Sequence, residues 1–315
     1  MTFDGRRLMA RHLRPALHRG LPTLLALAAC LAMVIPLAAC GGGKNRPGQG
    51  GRERLTVVTS IRQWQALASQ IGGDQVRVKA VLTNASADAH DYEPTTADIA
   101  AIGRADLVLV NGADHDAWAS KAAQASGITM VDVAQESGRH SGDNPHLWFS
   151  SEARRAAASA LNTAYKQMRP GHDAYFDSLL RRWQAREDEL SQRVGKARGK
   201  LSGAEYAATE SVAAYLAQDL GLKDITPAGY RQAAVNGGEP SPADINEFED
   251  ILRTGRARAL VFNEMEANGI TDQLTGTAMT SRVPIVRVGE QMPEDCKDLE
   301  EWMGRLVDEF SKALS

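Results

Sequence analysis

From residue 55 onward the chain alternates short apolar runs with amphipathic stretches. Residues 55–60, with a Thr-Val-Val-Thr core, predict a strand. Residues 61–71 then place Trp64, Leu67, Ala68 and Ile71 on one helical face, and Gly72-Gly73 ends the helix. Val76, Val78, Ala80, Val81 and Leu82 predict a second strand over 76–82 that runs into a loop. A short helix over 96–103 follows, with Thr95 or Thr96 as its cap. Next come a buried strand over 106–110, a turn at Asn111-Gly112, a helix over 114–126 and a strand over 128–133. Strands alternating with helices in this way predict a parallel sheet flanked by helices. Residues 134–145 are polar and glycine-bearing, which predicts a surface loop, and a helix over 151–168 stops at Pro170-Gly171.

Residues 172–201 predict one long helix. Phe176, Leu180, Trp183, Leu190, Val194 and Leu201 form its apolar stripe, while Arg181, Arg182, Arg186, Glu187 and Asp188 fill the other face. At ~1.5 Å per residue it runs ~45 Å, longer than one lobe needs. A helix crossing between two lobes is the economical reading; an internal helix of one large domain is the alternative. The second half alternates again, with strands over 206–209, 224–226, 257–262 and 284–288. Helices are predicted over 211–220, from Ser241-Pro242 onward, over 268–280 and over 298–314, with 230–240 irregular.

The first forty residues are a different kind of sequence. Five arginines lead into an uncharged apolar run, 21–38, then Leu37-Ala-Ala-Cys40 and three glycines. The run is ~18 residues, at the lower edge for spanning a bilayer, and it contains Pro22 and Pro36. A lipoprotein signal peptide over 1–39, with Cys40 as the lipidated residue, is preferred to a transmembrane anchor. Residues 40–54 read as a flexible tether. The expected division is then 55–170 for a first lobe, 171–201 for the linking helix and 202–315 for a second lobe.

Removal of residues 1–39, which hold five arginines and one aspartate, shifts the net charge from −3 to −7. That balance argues against nucleic acid as a partner and suits an extracytoplasmic protein that attracts cations. Cys30 leaves with the leader and Cys40 carries lipid, so Cys296 has no partner for an intramolecular disulfide. Any metal must be held by histidines and carboxylates.

Four such residues share one topological property. His90, in Asp88-Ala-His-Asp-Tyr-Glu-Pro94, follows the second strand; His146 follows the strand over 128–133. Glu210 directly follows the strand over 206–209, and Glu290 lies two residues past the strand over 284–288. Parallel α/β sheets bind ligands at the carboxyl ends of their strands. Two imidazoles and two carboxylates satisfy zinc, manganese or ferrous iron and do not suit soft monovalent copper. Each residue also has a plain reading. His90 reads as a solvated loop side chain, His146 as a packed core histidine, Glu210 as a helix N-terminal acid and Glu290 as surface.

These stretches resemble the bacterial solute-binding proteins that deliver zinc or manganese to ABC importers. The resemblance runs from about residue 55 to 315. Asp88-Ala-His-Asp-Tyr-Glu-Pro94 is similar to that family's first ligand loop, and Asp106-Leu-Val-Leu-Val-Asn-Gly112 to the segment that follows it. Asn144-Pro-His-Leu-Trp148 is similar to its second ligand motif. The resemblance implies an α/β fold of two lobes, each a parallel four-stranded sheet flanked by helices, joined by one long rigid helix, with metal at the lobe interface.

Departures accompany it. Zinc members usually carry histidine at the place of Glu210, and the stretch Ala208-Thr-Glu-Ser211 is similar to glutamate-bearing, often manganese-binding members. The fourth ligand is usually an aspartate after the last strand; Glu290 is the nearest equivalent, with Glu264 and Glu266 as reserves. The long histidine-rich loop is absent, with His140 alone in its place. His115 stands near where members carry an acid and reads as a supporting or surface residue.

The expectation is a monomeric, lipid-anchored, extracytoplasmic binding protein, not an enzyme. Its partner would be an ABC permease, and its ligands His90, His146, Glu210 and Glu290. Two rival classes remain. A metal-dependent hydrolase would need an open coordination position and a base, for which Glu93 is available. A surface adhesin on the same fold is the other.

Overall fold

A computed structural model of the chain describes residues 54–83 and 92–315. The leader, Cys40, most of the tether and His90 lie outside the described residues. Among the described residues no helix is long and apolar enough to cross a membrane.

The first half runs β1 (Leu55–Ile61), α1 (Arg62–Gly72), β2 (Val76–Leu82), α2 (Thr96–Ile102), β3 (Leu107–Val110), α3 (Ala117–Ser126), β4 (Thr129–Asp132) and α4 (Val133–Glu136). Helices α5 (Ser151–Met168) and α6 (Asp173–Leu201) follow. The second half runs β5 (Glu205–Ala208), α7 (Ala214–Asp219), β6 (Lys223–Asp224), α8 (Ala228–Val235), α9 (Pro242–Arg253), β7 (Ala259–Asn263), α10 (Gly269–Thr280), β8 (Ile285–Val288) and α11 (Leu299–Leu314). The eight strands form two four-stranded parallel sheets, ordered β2-β1-β3-β4 and β6-β5-β7-β8. The expected architecture of two sheets with a long helix between them in sequence is the one observed.

Burial explains the register. The central strands β3 and β7 are buried at every residue, because helices cover both faces of each sheet. Edge strand β2 alternates buried and exposed positions. On the outer face of the first sheet, Val58, Val108 and Val110 pack with Ile102, Ala119 and Ala123 of α2 and α3 or their flanks. On the outer face of the second, Ala207 and Leu260 pack with Tyr230, Phe248 and Leu274 of α8, α9 and α10. The inner faces of both sheets share one apolar core with α1, α5, α6 and α11.

Local chemistry sets most boundaries. Thr95 and Asp98 form a capping box at α2, as Ser241 and Asp244 do at α9 beside Pro242. The helix expected from residue 114 begins instead at Ala117. Gly112, Ala113 and Asp114 carry φ of 75°, 49° and 65°, a left-handed run that an α-helix excludes. At Gly112 a Cβ would collide with the Asp132 carboxylate.

Three further expectations are corrected. Residues 228–235 are helical rather than irregular, because Tyr230 is buried edge-on against Phe248 at 4.8 Å and anchors the turn. The loop after β4 opens with the single turn α4, capped by the Asp132 side chain. Glu187 does not lie on a solvated face of α6; it is fully buried.

Glu300, in the first turn of α11, is also buried, with Arg186 Nε of α6 at 3.6 Å. Burial first, then Asp298, pushes its carboxyl up to about 7, against the pull of Arg186; Glu187 adds to the rise. The folded chain therefore holds a proton here that the unfolded chain releases near its ordinary value of 4.5. Stability falls as pH rises from 4.5 to about 7 and stays low above that, by about 3 kcal/mol. Glu300→Gln is expected to raise the melting temperature at pH 8 and to leave it nearly unchanged at pH 4.5. Equal shifts at both pH values in thermal melts would contradict this origin.

Candidate metal centre

Three of the four expected ligands are described, and the fold brings those three together. One donor atom from each of His146, Glu210 and Glu290 lies within 4.8 Å of the others. His146 Nε2 stands 3.8 Å from Glu210 Oε1 and 4.0 Å from Glu290 Oε2. His146 and Glu290 are buried, and the Glu210 side chain is 22% exposed, so the cluster has a wet side. All three follow strand ends: His146 comes after β4 and α4, Glu210 two residues past β5, and Glu290 two residues past β8. The cluster thus joins the carboxyl ends of both sheets.

The imidazole is oriented by its neighbours. Asn144 Oδ1 lies 2.8 Å from His146 Nδ1 and also accepts the His146 backbone N–H at 2.9 Å. With Oδ1 an acceptor, Nδ1 carries a proton, and Nε2 is the nitrogen that faces the carboxylates. The Asn144 amide group is itself held, since Nδ2 donates to the Ser211 carbonyl and hydroxyl at 2.7 and 3.1 Å. Tyr215 of α7 donates to the Asn144 carbonyl at 2.8 Å. On the other side, Asn111 Nδ2 donates to the Pro145 carbonyl at 2.8 Å, and Asn111 Oδ1 accepts from Trp64 Nε1 at 3.1 Å. Asp116 accepts the backbone N–H groups of Asn111 and Gly112 at 2.6 and 2.9 Å. Burial is the first cause that raises the Asp116 carboxyl, and these hydrogen bonds with one from Ser60 oppose it. The His146 loop is therefore pinned from both halves of the chain.

His146 is at once a packed and a directed side chain. Trp148 stacks edge-on against it at 5.4 Å, and His115 lies against Trp148 at 5.2 Å. His115 is 1% exposed, so the surface reading of that residue is excluded. Glu210 does not serve a helix N-terminus, because α7 begins four residues later with no acid in its first turn. Glu290 is not surface, and its backbone carbonyl accepts from the buried Gln63 side chain of α1. The reserves are elsewhere: Glu264 pairs with Arg287 at 3.3 Å on an exposed flank, and Glu266 is exposed. Glu93 and His140 are exposed too, and the thiol of Cys296 is buried outside the cluster.

Two residues of the site escaped sequence reasoning as functional residues. Asn144 lies in the Asn144-Pro-His-Leu-Trp148 stretch, where the histidine carries the stronger ligand signal. Asn263, the last residue of β7, donates from Nδ2 to both Glu210 Oε2, at 2.5 Å, and Glu290 Oε1, at 2.9 Å. The strand-end rule that selected the ligands would have selected it, had amides been considered beside acids.

Comparison with known proteins gives a consistent result. A family model described as zinc-uptake complex component A, periplasmic, matches residues 57–313. The high-affinity zinc uptake system protein ZnuA of Bacillus subtilis is 24% identical over 274 residues, which is 80% of this chain and 83% of that protein. The iron-binding protein YfeA of Yersinia pestis is 28% identical over 239 residues, 70% of this chain and 72% of that one. Among solved structures, the laminin-binding protein Lmb of Streptococcus agalactiae superposes with a TM-score of 0.70 at 19% identity. That match covers 84% of this chain and all of that one, and it speaks for the fold.

Proposed function

The chain belongs to the zinc-uptake complex component A family, and we propose that it captures a divalent transition ion, zinc or manganese, and delivers it to an ABC permease. The observation that carries this reading is the convergence of His146 Nε2 with one oxygen each of Glu210 and Glu290 at the strand ends of both sheets. His90, which precedes α2 in sequence, completes the shell in this proposal. A neutral imidazole lone pair beside two carboxylates is a borderline-hard donor set that suits zinc, manganese or ferrous iron.

The surroundings favour binding over catalysis. Four protein ligands would close the coordination shell, whereas a hydrolytic metal keeps a position for water. Glu93, the base a hydrolase would need, is exposed and stands outside the cluster of His146, Glu210 and Glu290. We take residues 55–170 and 202–315 as the two lobes and 171–201 as the helix that joins them. Export and lipid attachment at Cys40 would hold a monomer at the outer face of the membrane, through the tether over 40–54.

The test is metal analysis of the purified chain after chelation and reloading with zinc and with manganese. One tightly held ion per chain is expected, with affinity falling below about pH 6.5 as the imidazoles protonate. The absence of stoichiometric metal under every loading condition would overturn the proposal.

A further inference from the structure

The Asn263 side chain touches both carboxylates of the site and is fully buried. Its amide orientation is determined by its partners. Oδ1 accepts the backbone N–H of Met265 at 3.1 Å, which leaves the NH2 group facing Glu210 Oε2 and Glu290 Oε1. A flipped amide would set its oxygen against two carboxylate oxygens and its NH2 against a backbone donor. The main chain is fixed as well, since the Asn263 N–H donates to Thr209 Oγ1 at 3.1 Å. One NH2 group therefore engages one oxygen of each acid. The oxygens that face His146 Nε2 are the other two, Glu210 Oε1 at 3.8 Å and Glu290 Oε2 at 4.0 Å.

We infer that Asn263 is a specificity-determining positioning residue, which holds Glu210 and Glu290 as one-oxygen donors and so favours a four-coordinate ion, zinc, over manganese. The inference rests on the reading of His146, Glu210 and Glu290 as ligands. Its physical basis is the count of donor atoms. The His146 nitrogen and two single carboxylate oxygens supply three donors, so one further donor completes the tetrahedron that zinc accepts. Manganese prefers a larger, oxygen-rich octahedral shell. Two chelating carboxylates would supply the extra oxygens, but here the second oxygen of each is committed to the same amide. The N–H bonds also fix the plane of each carboxylate, so neither turns to chelate without breaking a buried hydrogen bond. The amide lessens the repulsion between the two acids as well, which lets them face one another before an ion arrives.

The experiment compares the full chain with its Asn263→Ala and Asn263→Leu variants. Dissociation constants for zinc and for manganese are measured by chelator competition, and the bound ions are examined by X-ray absorption. Asn263→Leu removes the donor at nearly the same volume, so it reports the same loss should the cavity left by Asn263→Ala prevent folding. The preference for zinc over manganese is expected to fall by roughly tenfold or more, in the range that loss of a ligand's hydrogen-bond partner produces. Manganese in the variants should show more oxygen neighbours than manganese in the unaltered chain. A zinc-to-manganese ratio within twofold of the unaltered chain, with unchanged coordination number, overturns this inference alone. Failure of the unaltered chain to bind either ion overturns the proposed function and this inference together.

Discussion

His146→Ala is expected to abolish high-affinity binding of zinc and of manganese. The loss should exceed the ~10–100-fold that removal of a supporting partner costs, because the substitution removes a donor atom outright. No described side chain is placed to substitute for it. Among the described residues, His115 carries an imidazole whose ring centroid stands 6.5 Å from that of His146, and its ring packs against Trp148. Glu210, Glu290 and the proposed ligand His90 would remain, but a shell without the nitrogen on which the two carboxylates converge is weaker and less selective.

Binding can be read through stability as well as by titration. An ion that binds only the folded chain stabilises it by ~2.7 kcal/mol at a hundred times the dissociation constant, so the melting temperature rises with ion concentration. The unaltered chain should show that rise and His146→Ala should not. Alanine also leaves a cavity beside Trp148, so His146→Gln serves as the better-filled control. A retained affinity within threefold of the unaltered chain in either variant would remove His146 from the ligand set.

What could be read from the sequence and what could not divides along one physical line. Contiguous information was legible. The hydrophobic periods located the strands, and the Ser241-Pro-Ala-Asp244 run announced both a helix and its cap. The strand-end rule selected His146, Glu210 and Glu290 from among the chain's other histidines and acids, and the fold puts those three together. Information carried by pairs distant in sequence was not legible. Asn263 reads as an ordinary strand-end amide until Glu210 and Glu290, 53 and 27 residues away, are brought to its NH2 group. The left-handed run at Gly112 to Asp114 is likewise hidden. Gly112 and Asp114 are of types that tolerate it, but both are common outside such turns, and Ala113 between them carries no signal at all.

Glu187 is the sharpest case, because its neighbours in sequence point the wrong way. Arg186 and Asp188 beside it are charged, the first half-buried and the second exposed, and the segment reads as a solvated helix face. Yet Glu187 is 0% exposed and Arg154 of α5 is 3% exposed. Arg154 meets it as a fork, with NH2 donating to Oε1 at 2.6 Å and Nε to Oε2 at 3.2 Å. Ser151 adds a third bond to Oε1 at 2.8 Å. The remaining arm of Arg154, NH1, donates to the Trp148 carbonyl at 2.9 Å, two residues from His146. The pair thus fastens the middle of α6 to the loop that carries a proposed ligand.

Glu187→Ala is therefore expected to destabilise the fold by about 3–5 kcal/mol, since it strands a guanidinium in the interior without its counter-charge. The sign differs for a paired replacement. Arg154→Met with Glu187→Leu removes both charges together and should restore most of the lost stability, because desolvating an ion pair offsets much of its attraction. Denaturant unfolding of the two singles and the double completes a cycle that isolates the interaction. If the pair is structural alone, the double variant regains stability and binds metal as the unaltered chain does. If Arg154 also holds the Trp148 carbonyl in place for His146, the double variant regains stability but loses roughly tenfold in metal affinity, as supporting partners of ligands do. The second result is the one expected, because NH1 has a partner of its own that leucine and methionine do not replace. A Glu187→Ala variant as stable as the unaltered chain would show instead that Arg154 finds solvent or another acid, and would remove the buried pair from any account of how α6 and the metal centre are joined.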